Sequence, residues 1–348
     1  MAKKVLVSAD NIVFALLPGS TGEFSKQGQS VSDTVLGETY KSSITGAITW
    51  SITSNSIYKG FVGFQAKLLR PGTPVTIAGA STSLVAGKTY QITNTAQRVM
   101  DRSAVVAVFD GVTNVTSSVE SIDYLFGMVT FVSTFTPVGT ITLDYDYLPL
   151  QTLGKYTSYT LTQTSEAIKT SDSPTLATNG GFDTHIPGLK TVTMALPAIF
   201  SVADGWGTIL AARDELIIEI NPDGLGGNGS VGRGFFRLIS DSQSGDVGAL
   251  EEETLNFELS VPFASTGPSI ARPFGWVHGS NSPIPAAIKI LLSAWETDTT
   301  AFARYLHDGV NGWGGEVVVT DVTLTGGNDA PNTFAASFTG SGAFVAIP

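Results

Sequence analysis

Few residues in this chain have the types and spacing that chemistry requires. Gly227-Asn228-Gly229-Ser230-Val231-Gly232 matches G-x-G-x-x-G, but a dinucleotide site needs a strand before that motif and a helix after it. Here Asn221-Pro222-Asp223-Gly224 reads as a preceding turn and Phe235-Phe236-Arg237-Leu238-Ile239 as a following strand, so a flexible loop is expected. His185, His278 and His307 are far apart, and none stands in an H-x-x-x-H or H-E-x-x-H spacing that would bring two imidazoles onto one metal. All three are expected in exposed loops. No G-x-S-x-G elbow is present to raise a serine nucleophile. Glu251-Glu252-Glu253 offers three carboxylates, yet consecutive strand residues alternate faces and do not converge, so solvated charge is expected. Asp144 and Asp146 share one strand face, but nothing nearby supplies the six or more oxygens that calcium prefers. Trp50, Trp206, Trp276, Trp295 and Trp313 do not cluster in sequence, unlike the aromatic lining expected around the paired carboxylates of a glycoside hydrolase. No catalytic, cofactor-binding or metal residue is assigned, no cofactor is expected, and the chain is not expected to be an enzyme.

Bulk composition narrows the partners. The formal charge is −11 and the pI near 4.7, whereas phosphate binding by counterion release needs clustered Lys and Arg. An acidic surface repels a polyanion, which suits one that must slide past without sticking. Charged residues make up 14% of the 348, well below the roughly 25% of an ordinary soluble domain, so part of the uncharged surface is expected to be covered by other chains. With no cysteine, disulfides and thiolate metal sites are excluded. Lys3 and Lys4 precede a short apolar run in the manner of a secretory leader, but Asp10 and Asn11 interrupt it, and the segment reads as a first strand. No stretch approaches the ~18 uncharged apolar residues of a membrane helix, and no membrane partner is expected.

The elements that would carry any site are mostly strands. Glycine (38 residues), Thr, Ser and Val punctuate short alternating runs, such as Ile48-Thr49-Trp50-Ser51-Ile52 and Gly139-Thr140-Ile141-Thr142-Leu143-Asp144-Tyr145, the period of half-buried strands. Two segments read as helices. One covers Trp206 to Arg213 after Asp204 as N-cap, and the other runs from Ala286 to Trp295 after Pro285. In the second, Ile288, Leu291, Leu292 and Trp295 make one apolar face to lie on a sheet.

Two internal repeats organise the chain. Gly37 to Thr49 aligns without gaps to Asn179 to Thr191, matching Tyr40 with Phe182, Ile44 with Ile186, Gly46 with Gly188 and Thr49 with Thr191. Further on, a helix, an Asp-Gly turn and two strands recur. Ile209-Leu210-Ala211-Ala212, Pro222-Asp223-Gly224, Gly232 to Phe236 and Thr254 to Leu259 are answered by Leu291-Leu292-Ser293-Ala294, His307-Asp308-Gly309, Gly314 to Val318 and Thr333 to Phe338. The nested order predicts a discontinuous module at 1–60 plus 283–348, a second at 151–265, a linker at 266–282 and an inserted small β-domain at 61–150. Each module carries one flanking helix.

Phe182-Asp183-Thr184-His185-Ile186-Pro187-Gly188-Leu189-Lys190-Thr191, the Leu-Ala-Ala helix after it, Leu216-Ile217-Ile218-Glu219-Ile220, Glu251 to Leu259 and the closing Ser337-Phe338-Thr339-Gly340-Ser341-Gly342 together resemble the tail tube proteins of long-tailed, siphophage-type bacteriophages. The first module departs from the pattern, with Ile44-Thr45-Gly46-Ala47 where the second has Ile186-Pro187-Gly188-Leu189. The resemblance implies two tail-tube-type β-sheet or barrel modules and a virion structural protein, made in the host cytoplasm and residing in the tail. Copies would close into stacked rings, trimeric and pseudo-hexameric, around a lumen for DNA ejection. Its implied partners are further copies, a tail terminator, tape measure and baseplate proteins, and genomic DNA that passes without specific binding. On this reading Glu251 to Glu253 could face the lumen, residues 61–150 lie outside the tube, and the polar segments Pro18–Asp33 and Ala167–Asn179 are loops ordered by the next ring. The alternative is a β-sandwich adhesin or receptor-binding protein with 61–150 as its recognition domain.

Overall fold

A computed structural model describes residues 3–17, 21–32, 43–57, 66–153, 156, 158–172, 178, 180–199, 205–222, 229–244, 252–261, 269–270, 272–327 and 332–348. The chain is mainly β, with two helices among the described elements, and its larger sheet curls into a half-barrel. In chain order, β1 (Lys4–Ser8), β2 (Ala15–Leu16), β3 (Thr21–Ser32), β4 (Ser43–Ile57) and β5 (Ala66–Pro71) come first, followed by β6 to β12, which fall between Val75 and Tyr147. After β13 (Leu150–Leu153), β14 (Ser158–Lys169) and β15 (His185–Ile199) comes helix α1 (Trp206–Ala212). Then follow β16 (Glu215–Ile220), β17 (Ser230–Ser244), β18 (Glu252–Leu259), β19 (Ser269–Ile270) and β20 (Phe274–His278). Helix α2 (Ala286–Thr297), β21 (Ala301–Leu306), β22 (Gly312–Gly327), β23 (Thr333–Gly340) and β24 (Val345–Ile347) complete the described elements. Among the described residues, sixteen strands form the large sheet and eight the small one.

The large sheet lays out one pairing order twice. The first run is β2–β1–β21–β22–β23–β4–β3, with β24 beside the start of β22. The second is β13–β5–β16–β17–β18–β15–β14, with β20 beside the start of β17. Irregularities in the ladders fall at matching places. The β3–β4 register shifts between Gly28 and Ser30, opposite Ile48 and Thr45, and the β14–β15 register between Ser165 and Ala167, opposite Lys190 and Pro187. Ile48 and Lys190, like Thr45 and Pro187, are partners in the sequence repeat. The long strands bulge alike, β22 between Val319 and Asp321 and β17 between Leu238 and Ser240. Both helices stop on a non-glycine residue in the left-handed region, Arg213 and Asp298, each with φ 56°. The two runs join where β14 pairs with β22 beyond its bulge, from Ser158↔Gly327 to Thr164↔Asp321.

Packing follows from strand chemistry. One core holds α1, α2 and the inward residues of both runs, including Trp50, Ile52, Leu161, Met194, Phe257, Leu291 and Phe338. α2 buries Ile288, Leu291, Leu292 and Trp295, the stripe read from the sequence. α1 takes Gly205 as N-cap; Asp204, expected to cap it, lies outside the described residues. A second core joins the small sheet to the face of β5, β16 and β17 turned away from the first, through Leu69, Leu148, Ile217 and Phe235. β16 is therefore buried on both faces, which is what its unbroken Leu216-Ile217-Ile218 run encodes.

Several boundaries fall elsewhere than expected. Thr21–Ser32, read as part of a loop, is strand β3, and Ala167–Lys169 extends β14. Their low apolar content hid them, because a strand with one polar face and an open edge needs few hydrophobic residues. Within 61–150, Ala66–Pro71 and Leu150 belong to the large sheet. Within 266–282, Phe274 and Trp276 are buried on β20, and β19 pairs with β10 (Val119–Asp123) of the small sheet.

Candidate functional site

No cluster of three or more His, Asp or Glu side chains suited to a metal occurs among the described residues, and the residues weighed for chemistry disperse. His185 is buried on β15, with Nδ1 2.8 Å from the Gly340 carbonyl oxygen. His278 lies on β20, with Nδ1 2.7 Å from Ser230 Oγ. Of the three expected in exposed loops, only His307 is in one. Strand alternation buries Glu253 and exposes Glu252, so Glu253 is not the solvated group expected; Glu251 and Gly227–Asn228 lie outside the described residues. Gly232 lies on β17 opposite Trp276 of β20, where its missing side chain leaves room for the Trp276 ring. Asp144 accepts a hydrogen bond from the Gly79 amide at 2.6 Å. The tryptophans serve packing: Trp50 and Trp313 meet through Phe24 and Phe344, while Trp276 and Trp295 flank Phe274.

What the fold does build is a surface. Eight strands run without a break in the order β17–β18–β15–β14–β22–β23–β4–β3, using the parts of β17 and β22 beyond their bulges. One face is the main core. Side chains on the other alternate with it and are small and polar: Thr160, Thr162 and Thr164 on β14, Thr191 and Thr193 on β15, and Thr323 and Thr325 on β22 are typical. They meet across strands, Thr164 Oγ1 lying 2.5 Å from Thr191 Oγ1 and Thr323 Oγ1 3.4 Å from Thr162 Oγ1. Such hydroxyl pairs stabilise a sheet without an apolar layer above it. Charge on this face is sparse and mainly negative, from Glu23, Asp321, Glu252 and Glu258, with Arg237 opposite Glu258. Burial pushes the Asp321 carboxyl up, against a hydrogen bond from Thr323 that pulls it down.

The two ends of this eight-strand sheet are open. Among the described residues β3 pairs with β4 alone, and β17 beyond its bulge pairs with β18 alone. Open edges of this length are templates for another strand.

Around the small domain, charge forms a tie instead of a site. Arg233 pairs with Glu219 and donates to the Leu125 carbonyl oxygen at 2.6 Å, Arg272 pairs with Asp123 at 2.9 Å and with Glu296, and Arg102 pairs with Glu215. Burial pushes the Glu219 carboxyl up, but the Arg233 and Lys67 charges outweigh it and hold it below the usual carboxylate range. A depression of about 760 Å3 beside β24 is lined by Arg304, Glu316, Thr184 and Ser341 among others.

No family model and no curated protein matches the chain. Two solved structures are similar over part of it. One is the tail of an empty gene transfer agent particle refined with helical C6 symmetry, at 13% identity and a TM-score of 0.28, covering 34% of this chain and 87% of that one. The other is the virion of a native gene transfer agent particle, at 11% identity and a TM-score of 0.28, covering 32% of this chain and 85% of that one.

Proposed function

We propose that the chain is a non-catalytic, self-assembling subunit of a phage-type tail tube, in which the polar face of the eight-strand sheet lines a lumen for DNA. The observation that carries this reading is the sheet itself: a four-strand unit laid out twice, curled, polar on one face and open at both ends. Head-to-tail joining of such sheets removes every open edge only when the ring closes. Hydroxyl and carboxylate groups facing the lumen would wet the wall without offering cations to phosphate, so DNA would pass without being held.

The repeated pairing order reads as two modules in one chain. A ring of six modules then contains three chains and is only pseudo-sixfold. The small domain, packed behind β16 on the side away from the main core, would decorate the exterior, and a terminator, tape measure and baseplate would meet the tube ends. The virion tail is the location that this function requires. Electron microscopy of the purified protein at high concentration will show hollow tubes, and native mass spectrometry of dissociated rings will give three chains. Compact particles alone would overturn the tube reading in favour of an adhesin, and six chains would overturn the two-module ring.

A further inference from the structure

We infer that β3 of one copy pairs antiparallel with the part of β17 beyond its bulge in a second copy, in a register that sets Lys26 opposite Asp241 and Ser25 opposite Ser242. The inference rests on the ring reading and names the contact that closes it. Its template is inside the chain. β14 occupies in the second run the place that β3 has in the first, and β22 the place that β17 has in the second. These inner counterparts already pair, Thr162 with Thr323 and Gln163 with Val322. Counted from the matched irregularities, Thr162 and Gln163 correspond to Ser25 and Lys26, and Val322 and Thr323 to Asp241 and Ser242. The two strands the template would join are the two open ends of the eight-strand sheet.

Charge supports the same register independently. Asp241 Oδ1 is buried and has no hydrogen-bond partner among the described residues, a condition that costs free energy unless a donor arrives. Lys26 is exposed, its amine 5.6 Å from the Trp313 ring centre and 5.9 Å from that of Phe344, with no carboxylate partner among the described residues. At the inner junction the corresponding pair, Gln163 and Val322, is uncharged. The ion pair would therefore mark the junction between copies and favour β3 joining β17 over β3 joining another β3.

The chain has no cysteine, so a Ser25→Cys, Ser242→Cys double variant tests the register directly. Directly opposed strand residues lie within disulfide reach. Oxidation of the assembled variant will give covalent oligomers, whereas either single variant, or Ser25→Cys combined with Ser240→Cys, will stay largely monomeric on a denaturing gel. In parallel, Lys26→Asp or Asp241→Lys alone will raise the concentration needed for assembly at least about tenfold, with unchanged thermal unfolding of the dissociated subunit. Combining the two restores assembly. Crosslinking by Ser25→Cys alone, or equal crosslinking in the shifted pair, overturns the proposal. So does tube formation without crosslinking, which leaves the tube reading intact. Specific crosslinks in closed, compact particles would uphold the pairing and overturn the tube.

Discussion

Asp183 shows how single residues tie the sheet together. Its backbone N–H donates to the Ile48 carbonyl oxygen and its own carbonyl accepts from Gly342, while its carboxylate receives Lys169 Nζ and Ser171 Oγ, each at 2.6 Å. Burial pushes this carboxyl up, but the Lys169 and Ser171 bonds outweigh it and leave it lowered. Glu219 is lowered too, by Arg233 and Lys67. A carboxyl lowered in the folded state contributes stability that is fully present above its unfolded pKa and is lost as pH falls through the folded value. Asp321, raised by burial, acts in the opposite sense, one group against these two. The melting temperature of the dissociated subunit will therefore fall as pH is lowered from about 5 to about 3. The fall will be shallower in Asp183→Asn, measured by circular dichroism. An equal slope in the variant would remove Asp183 from this account.

At the scale of elements, α2 and α1 differ in how much they hold. α2 buries six side chains over its twelve residues, whereas α1, of seven residues, buries Trp206 and Ile209. Leu291 is wholly buried between the helix and the sheet, and truncating such a side chain loses both transfer free energy and packing. Leu291→Ala will cost about 2–5 kcal/mol in chemical denaturation of the subunit. Leu210→Ala on the partly exposed side of α1 will cost clearly less, and equal costs would mean that α1 contributes as much as α2. The same contrast runs through the strands: β21 alternates cleanly in Ala301-Phe302-Ala303-Arg304, while β16 is apolar on both faces because the small domain packs on the face turned away from the main core.

For the whole molecule, the position of the small domain matters most. Its ends meet, since the Gly72 amide donates to the Pro149 carbonyl oxygen at 2.7 Å beside the β5–β13 ladder. An insertion whose ends are adjacent can be removed without reopening the sheet that carries it. Excising 73–148 behind a short Gly/Ser turn uncovers Leu69, Ile217 and Phe235, so these are changed to threonine in the same variant to avoid an exposed apolar patch. The exterior placement proposed above predicts tubes with the original lumen diameter and a thinner outer wall by electron microscopy. A wider lumen would place the domain inside the channel.

The sequence by itself determined what depends on local pattern. The alternation in Ile48 to Ile52 and Gly139 to Tyr145 specified strands, the Ile288, Leu291, Leu292 and Trp295 stripe specified α2, and the repeat pairing Ile48 with Lys190 already contained the register that the matching bulges display. Absence of clustered cations was equally readable from composition. Tertiary structure alone decided which strands are neighbours, because pairing joins residues as distant as Tyr159 and Gly326 and no local period encodes that distance. It also decided that Thr21–Ser32 is a strand and that His185 and Glu253 are buried. A polar residue's burial is set by what the rest of the chain places over it, and an edge strand's existence by the partner it finds.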